Sequence, residues 1–405
     1  MLVKHSLRNG CLIAEKGSIL MQRNGMQMRE TTYEAEQNME KDTIVIDVSK
    51  LDETDITFMA EALRKPAECL KQGGLVAFPT ETVYGLGADA LNETAAKRIY
   101  EAKGRPSDNP LIVHIANVED MDRIAYVNDR ARMLAQAFWP GPLTIILPKK
   151  DIVPTGTTGG LATVAIRMPS HPAALELIRQ SGVYVAAPSA NTSGRPSPTK
   201  ASHVVEDMKG KIEYIVDGGA VGIGIESTII DVSGEVPMIL RPGFITRQQL
   251  SQIIGEVAID PTLENQVEGI RPKAPGMKYT HYAPKGEMTL VESNSMSEQT
   301  MMVVDKQVIT TIQKLAREKQ KEGFKVGIMS SKETSAYYDG YSDVLLSVGD
   351  RKGQKTVAAG LYAALREFDA ADVDFIYAES FRGEELSDAI MNRLLKAAGH
   401  RVIRV

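Results

Sequence analysis

Short apolar runs separated by polar segments occur along most of the chain, and their lengths are typical of alternating strands and helices. Runs of strand length lie at 44–46, 75–78, 111–115, 143–147, 163–167, 183–187, 214–216 and 227–232. Other stretches predict helices over 65–72, 93–102, 129–137 and 171–180. This mixture of strands and helices predicts an α/β domain over residues 43–255.

Two of these helices carry boundary signals. Asn92 is a good N-cap for the helix over 93–102, and Gly104 follows its end, where a left-handed residue commonly closes a helix. Pro66 lacks an amide hydrogen and would break a helix interior, so it is expected in the first turn of a helix over 65–72.

The regular pattern fades over 256–286 and returns over 287–405. The first of these ranges contains RPKAPG and then MKYTHYAP, a linker composition that is unusually rich in aromatic and polar residues for a spacer. Beyond it, strands at 288–291, 325–329, 343–347 and 373–378 alternate with helices near 305–322, 355–368 and 386–398, which predicts a smaller Rossmann-like α/β domain. Residues 1–42 show no period and are interpreted as a disordered extension or a mis-assigned start.

Composition narrows the classes of protein that fit. The 405 residues, 43% of them hydrophobic, suffice for two cores, and a net charge of -5 argues against nucleic acid as the main partner. Two cysteines exclude a disulfide scaffold and a cysteine-built metal site, which favours a cytoplasmic location. No apolar run reaches the length of a transmembrane helix, and no spaced histidine pair predicts zinc.

The usual nucleotide-binding glycine motifs are absent, and the glycine-rich stretch 218–224 is interpreted as a flexible loop between strands. The segment 102–110 is more informative, since Lys103 and Arg105 flank one glycine and can converge on an anion. An equally weighted alternative is that Lys103 only complements the dipole of a helix C-terminus while Arg105 is solvated.

A second polar loop, 188–197, follows a very apolar strand, and its hydroxyl and amide groups suit ligand binding, although ordinary turn chemistry also explains them. Arg167 ends another apolar strand, and a half-buried arginine needs an anionic partner. His114 alone is more often a satisfied core histidine than a functional one.

Taken in order along the chain, seven segments resemble the YrdC-like family in its two-domain threonylcarbamoyl-AMP synthase form. They are FPTETVYGLG from Phe78, KGRPSDNPLIVHI from Lys103, WPGPLTIIL from Trp139, VAIRMP from Val164, PSANTSGRP from Pro188, ESTIID from Glu226 and LRPG from Leu240. The linker PGMKYTHYAP and the segment AIMNRLLKA from Ala389 also resemble the two-domain members.

The resemblance implies a YrdC-like open twisted sheet in the first domain and a defined reaction. L-threonine, bicarbonate and ATP would give threonylcarbamoyl-AMP, pyrophosphate and water, for threonylcarbamoyladenosine modification of tRNA next to the anticodon. Magnesium would enter with ATP, held mainly by phosphates and waters rather than by a protein-built site. The product would pass to a tRNA threonylcarbamoyl transferase, and direct contact with tRNA is left open.

The resemblance also implies roles for individual residues. Lys103 and Arg105 would be the catalytic cations, and the linker would cover the active site through Tyr282. Thr228 is an alternative to Ser227 as the threonine contact. The threonine-binding residues would be Thr82, His114, Arg167, Ser189 and Ser227; the ATP-binding residues would be Arg105, Asn109, Thr163, Asn191, Thr199, Arg241 and Tyr282.

Two other classes of function compete with this interpretation. An RNA-binding factor for ribosome or tRNA maturation would not need this catalysis, but the acidic composition and the lack of interleaved basic and aromatic residues count against it. A carbamoyl-transfer accessory domain, as in hydrogenase-maturation proteins, would be expected with zinc-finger-like cysteine pairs, and this chain has none.

Overall fold

The computed structural model describes residues 42–51, 56–263, 274, 281–294, 306–383 and 386–405. Almost all of the predicted extension 1–42 and much of the linker 256–286 therefore lie outside the described residues. Residues Asp42–Val405 form one compact unit that contains two separate sheets. None of the described helices is long and apolar enough to cross a membrane.

An open sheet of eleven described strands organises the first domain, with parallel and antiparallel pairs mixed in the order β1-β8-β2-β3-β7-β4-β6-β5-β9-β10-β11. The strands are β1 (Ile44–Asp47), β2 (Val76–Phe78), β3 (Gly85–Asp89), β4 (Ile112–His114), β5 (Leu143–Pro148), β6 (Thr163–Arg167), β7 (Val185–Ala186), β8 (Tyr214–Asp217), β9 (Thr228–Asp231), β10 (Met238–Arg241) and β11 (Ala258–Ile259). The helices are α1 (Ile56–Lys71), α2 (Glu93–Lys103), α3 (Met121–Ile124), α4 (Asp129–Phe138), α5 (Pro172–Ser181), α6 (Ala201–Met208) and α7 (Arg247–Ile254).

The prediction for the first long helix was wrong. α1 begins nine residues earlier than the predicted 65, and Pro66 lies inside it rather than in its first turn. The helix buries Leu63, Ala67 and Leu70 in a cluster shared with α5. Burial of this face offsets the cost of an interior proline, which is about 3 kcal/mol. By contrast, Asn92 caps α2 as predicted.

The sequence did not predict β3, although it lies within one of the quoted motifs. Its glycines replace the β-branched residues that usually mark a strand. At Gly87 a Cβ atom would lie 2.8 Å from Phe78 and 2.8 Å from Val185, on the two flanking strands. The close approach of three strands therefore requires glycine here. Because glycine does not contribute to an apolar strand pattern, the strand was not recognised from the sequence. Helices α3, α6 and α7 and strands β10 and β11 were also not predicted.

The second domain is built on five parallel strands in the order β14-β13-β15-β12-β16. Its predicted strands and helices are confirmed to within about two residues, and only the terminal strand β16 was not expected. The strands are β12 (Glu287–Glu292), β13 (Val326–Ser330), β14 (Val344–Ser347), β15 (Phe375–Glu379) and β16 (Val402–Arg404); the helices are α8 (Lys306–Lys321), α9 (Gln354–Ala370) and α10 (Ser387–Ala397).

The two domains share one apolar cluster. Val83 and Ile225 from the first domain are buried among side chains of α9 and α10. The glycine-rich segment 218–224 is a loop between β8 and β9, as predicted, and its last residue packs directly on α9. At Gly224 a Cβ atom would lie 2.4 Å from the Cα of Ala359, so only glycine allows this contact.

Candidate active site

A cleft of about 710 Å³ lies where loops and strand ends of the first domain converge. His114 and Arg167 end the parallel strands β4 and β6 and are register partners, so their side chains start from the same edge of the sheet. Nine of the thirteen predicted site residues line the cleft, namely Lys103, Arg105, His114, Arg167, Ser189, Asn191, Ser227, Arg241 and Tyr282.

The other four predicted residues are not among those that line the cleft. Thr82 is fully buried and accepts a hydrogen bond from Arg167 at 3.0 Å. It therefore contacts a residue that lines the cleft without lining the cleft itself. Thr163 begins β6 and is half-buried. Asn109 and Thr199 are buried, and their Oδ1 and Oγ1 atoms have no hydrogen-bond partner among the described residues.

Arg167 is 4% exposed, so it is buried rather than half-buried as expected. The anionic partner that its burial requires is Glu81, whose Oε1 atom lies 2.7 Å from Nη2 of Arg167. The other oxygen of Glu81 accepts a hydrogen bond from the backbone N–H of Ser170 at 3.1 Å. The arginine is therefore held in place before any ligand arrives, with its charge already balanced.

Lys103 ends α2, where it is buried and lines the cleft. Its Nζ atom donates to the carbonyl oxygens of Ser189 and Asn191, both at 2.5 Å, and the side chain is 2% exposed. Burial, and then the charge of Arg105, lower its pKa well below the ordinary value. The lysine therefore does more than complement a helix dipole: it fixes the polar loop that follows β7.

Arg105 is half-buried rather than fully solvated, which counts against that alternative. Its Nη2 atom donates to the carbonyl oxygens of Pro110 at 3.1 Å and Asn109 at 3.4 Å. Burial lowers its pKa to about 10, so the guanidinium stays charged at neutral pH. Its Nε atom has no hydrogen-bond acceptor among the described residues and is available to an anionic ligand.

Ser227 and Arg241 also line the cleft, and they contact each other. The hydroxyl of Ser227 lies 2.8 Å from that of Thr144 and accepts a hydrogen bond from Nη2 of Arg241 at 3.1 Å. The Nε atom of Arg241 also donates to the backbone oxygen of Ser227 at 3.0 Å. The hydroxyl of Thr228 instead donates to the backbone of Ile245 at 2.6 Å, so the geometry favours Ser227 as the ligand contact.

His114 is neutral in the folded protein. Burial, and then the charge of Arg167, lower its pKa from 6.5 to about 3. Its Nδ1 atom lies 3.2 Å from the backbone oxygen of Ile112. A histidine that stays neutral at physiological pH can donate or accept a hydrogen bond but contributes no charge to the cleft.

This pKa gives a stability prediction for His114→Asn. Below about pH 6.5 the unfolded chain binds a proton at His114 that the folded protein does not bind, so stability falls as the pH drops towards 3. We expect wild-type protein to lose up to about 2 kcal/mol more than His114→Asn in unfolding free energy between pH 7.5 and 5.0. Urea unfolding at both pH values measures the difference. His400→Asn, at an exposed position, is the control and should keep most of the wild-type pH dependence; equal losses in wild type and His114→Asn would contradict the prediction.

The sequence did not identify two acids that organise the cleft, half-buried Glu81 and buried Glu226. Glu81 pairs with Arg167, and Glu226 lines the cleft and pairs with Arg393 of α10 at 3.1 Å. Although burial raises it, Arg393 and Arg241 lower the pKa of Glu226 to about 2. A carboxylate inside an otherwise apolar or hydroxyl-rich motif was the available signal, because such a charge requires a cation.

Comparison with known proteins identifies the family of this chain. A family model described as "Telomere recombination" matches residues 68–243, and one described as "Threonylcarbamoyl-AMP synthase, C-terminal domain" matches residues 245–399. The threonylcarbamoyl-AMP synthase of Bacillus subtilis is 51% identical over 344 residues, which are 84% of this chain and 94% of the relative. That of Schizosaccharomyces pombe is 41% identical over 354 residues, which are 80% of this chain and 84% of the relative.

A crystal structure of the Pyrococcus abyssi relative complexed with L-threonine has a TM-score of 0.81 and 46% sequence identity, and it covers 90% of this chain and 100% of that chain. These similarities confirm the family, the fold class and the enzyme class that the sequence motifs predicted. The chain belongs to the threonylcarbamoyl-AMP synthase family.

Proposed function

We propose that this enzyme joins L-threonine, bicarbonate and ATP in the cleft, forming threonylcarbamoyl-AMP with release of pyrophosphate and water. The observation that carries this proposal is the convergence of four basic side chains, Lys103, Arg105, Arg167 and Arg241, on one cleft. Each of the three substrates brings negative charge, and the adenylation step develops more of it at the α-phosphate. Fixed cations in a buried site stabilise such charge strongly.

L-threonine binds at the end where Arg167 and Ser227 lie. The guanidinium of Arg167 suits the threonine carboxylate, and the hydroxyls of Ser189 and Ser227 suit its polar groups. Neutral His114 adds a hydrogen-bonding group without adding charge. The L-threonine complex of the Pyrococcus abyssi relative supports this choice of substrate.

ATP binds towards Arg105 and Arg241. The unpartnered Nε of Arg105 and the buried guanidinium of Arg241 suit phosphate oxygens, which supports this assignment. Asn191 and Tyr282 also line this cleft. The ATP contacts that the resemblance implies for Asn109, Thr163 and Thr199 stay predictions. The role of the linker as a cover also stays a prediction, because residues 275–280 lie outside the described ranges.

The reaction proceeds in two steps that balance. The uncharged threonine amine attacks the carbon of bicarbonate and water leaves, which gives an N-carboxy intermediate. One carboxylate oxygen of this intermediate attacks the α-phosphorus, the bond between the α-phosphorus and the bridging oxygen breaks, and pyrophosphate departs. The site contributes mainly by holding the reactants in register and by stabilising charge.

Magnesium enters with ATP. Among the described residues no group of three or more histidine, cysteine, aspartate or glutamate side chains could hold a metal ion. The residues present therefore do not form a protein cage, and phosphate oxygens and waters would supply the ligands. The absence of a protein-built site remains a prediction for the chain as a whole.

The product is a mixed anhydride and is expected to hydrolyse readily. Direct uptake by a tRNA threonylcarbamoyl transferase would protect it, and a cytoplasmic location stays a prediction from the two cysteines. An experiment with purified protein, ATP, magnesium and bicarbonate tests the whole proposal. Pyrophosphate and a threonine-containing adenylate should appear only when L-threonine is added, whereas salt-dependent tRNA affinity without threonine-dependent turnover would favour the RNA-binding alternative.

A further inference from the structure

Arg393 of α10 reaches from the second domain into the wall of the cleft. It is fully buried, and its Nε atom donates to the carboxylate of Glu226 at 3.1 Å while Nη2 donates to the backbone oxygen of Glu226 at 3.2 Å. Its Nη1 atom donates to the backbone oxygen of Pro242. One guanidinium therefore ties the segment entering β9 to the segment leaving β10.

Each tied residue is the direct neighbour of a cleft residue. Glu226 precedes Ser227, and Pro242 follows Arg241. Ser227 and Arg241 also bind each other through two hydrogen bonds, at 3.0 and 3.1 Å. A shift of either segment would therefore move both side chains relative to the substrates.

Tyr362 of α9 adds a second tie from the same domain. Its hydroxyl donates to the carboxylate of Glu226 at 2.9 Å, and its ring centroid lies 5.1 Å from that of Tyr282. Ser197 donates to the other carboxylate oxygen of Glu226 at 2.6 Å. The single carboxylate thus joins the second domain to the polar loop, the β9 segment and the tyrosine that lines the cleft.

Arg366, also on α9, contacts the C-terminal part of the polar loop 188–197. Its Nη2 atom donates to the backbone oxygen of Pro196 at 2.7 Å and to Asp207 at 2.7 Å. Asp207 in turn accepts a hydrogen bond from the backbone N–H of Thr192 at 3.1 Å. Lys103 of the first domain holds the start of this loop through Ser189 and Asn191. The geometry of the loop therefore depends on both domains.

We propose that the second domain positions the active site, with Arg393 as the principal positioning residue acting through Glu226 on Ser227 and Arg241. This inference rests on the proposed function, because Ser227 and Arg241 are there assigned to threonine and ATP. It assigns no chemical step to Arg393, which lies behind the cleft wall. It explains why the second domain shares its apolar cluster with the residues around the cleft.

The test compares Arg393→Met with Arg351→Met in the full-length enzyme. Arg351 forms an equally buried pair with Glu379 at 2.8 Å, but that pair lies within the second domain. Both variants lose one partner of a buried ion pair, so similar losses of thermal stability are expected. At a temperature where both are folded, Arg393→Met should lower kcat/KM by about 10–100-fold, with a raised KM for ATP and a lowered kcat. Arg351→Met should keep the wild-type kcat and KM.

Two further variants separate positioning from general stability. Arg393→Lys keeps the charge and one donor group, and it should restore part of kcat without restoring the full thermal midpoint. Glu226→Gln combined with Arg393→Met removes both charges, so it should recover stability while activity stays low. Wild-type kinetics in folded Arg393→Met, or an equal loss in Arg351→Met, would overturn the inference. Absence of product from wild-type enzyme would instead contradict the proposed function.

Discussion

Lys103→Ala is expected to lower kcat/KM for threonine-dependent pyrophosphate release by roughly 10²–10³-fold. The substitution removes a buried amino group and the two hydrogen bonds that hold the carbonyl groups of Ser189 and Asn191. These two residues belong to the loop that lines the cleft, so the variant loses a polar group of the site and the geometry of the loop together. Steady-state release of pyrophosphate at saturating bicarbonate, with L-threonine and ATP varied in turn, measures kcat/KM for each of these two substrates.

Lys97→Ala is the matched control on the same helix. Its side chain is 75% exposed and forms a surface ion pair with Glu101 at 3.7 Å, so its removal should leave kinetics unchanged. Lys103→Met tests whether the charge matters beyond volume, since it keeps most of the side chain but donates no hydrogen bond. Full activity in either Lys103 variant would exclude the electrostatic and positioning role together.

The fold was largely predictable because most elements carry local signals. α2 is marked at both ends, by Asn92 and Gly104, and β6 agrees with the predicted 163–167. The failures occurred where a long-range contact overrides the local preference. α1 continues through Pro66 because its apolar face packs on α5, and β3 contains glycine because two strands approach it closely. Neither contact is visible in the neighbouring sequence.

The motifs that form the site were predictable, but the ion-pair partners of its charged residues were not. Motif order identified the family, and nine of the predicted residues do converge on one cleft. No local pattern pairs Arg167 with Glu81, or Glu226 with Arg393, which lies 167 positions later. Buried charges require partners, but which partner each receives is decided by the packing of distant elements.

Arg167→Met is expected to raise the KM for L-threonine sharply and to lower kcat/KM by roughly 10²–10³-fold, while the KM for ATP changes little. The reason is the loss of the cation that suits the threonine carboxylate. The variant also leaves half-buried Glu81 without its partner, which should cost up to about 3 kcal/mol of stability. Kinetics with each substrate varied in turn, together with urea unfolding, measure both effects.

Glu81→Gln combined with Arg167→Met separates these two losses. If the arginine served only to neutralise Glu81, removing both charges would restore stability and activity together, because a buried pair replaced by neutral groups is often tolerated. If Arg167 binds substrate, the double variant regains stability but keeps the high KM for L-threonine. The second outcome is expected, since a guanidinium held at one end by Glu81 and Thr82 is a preorganised receptor for a carboxylate. A return to wild-type threonine kinetics in the double variant would remove Arg167 from the binding site.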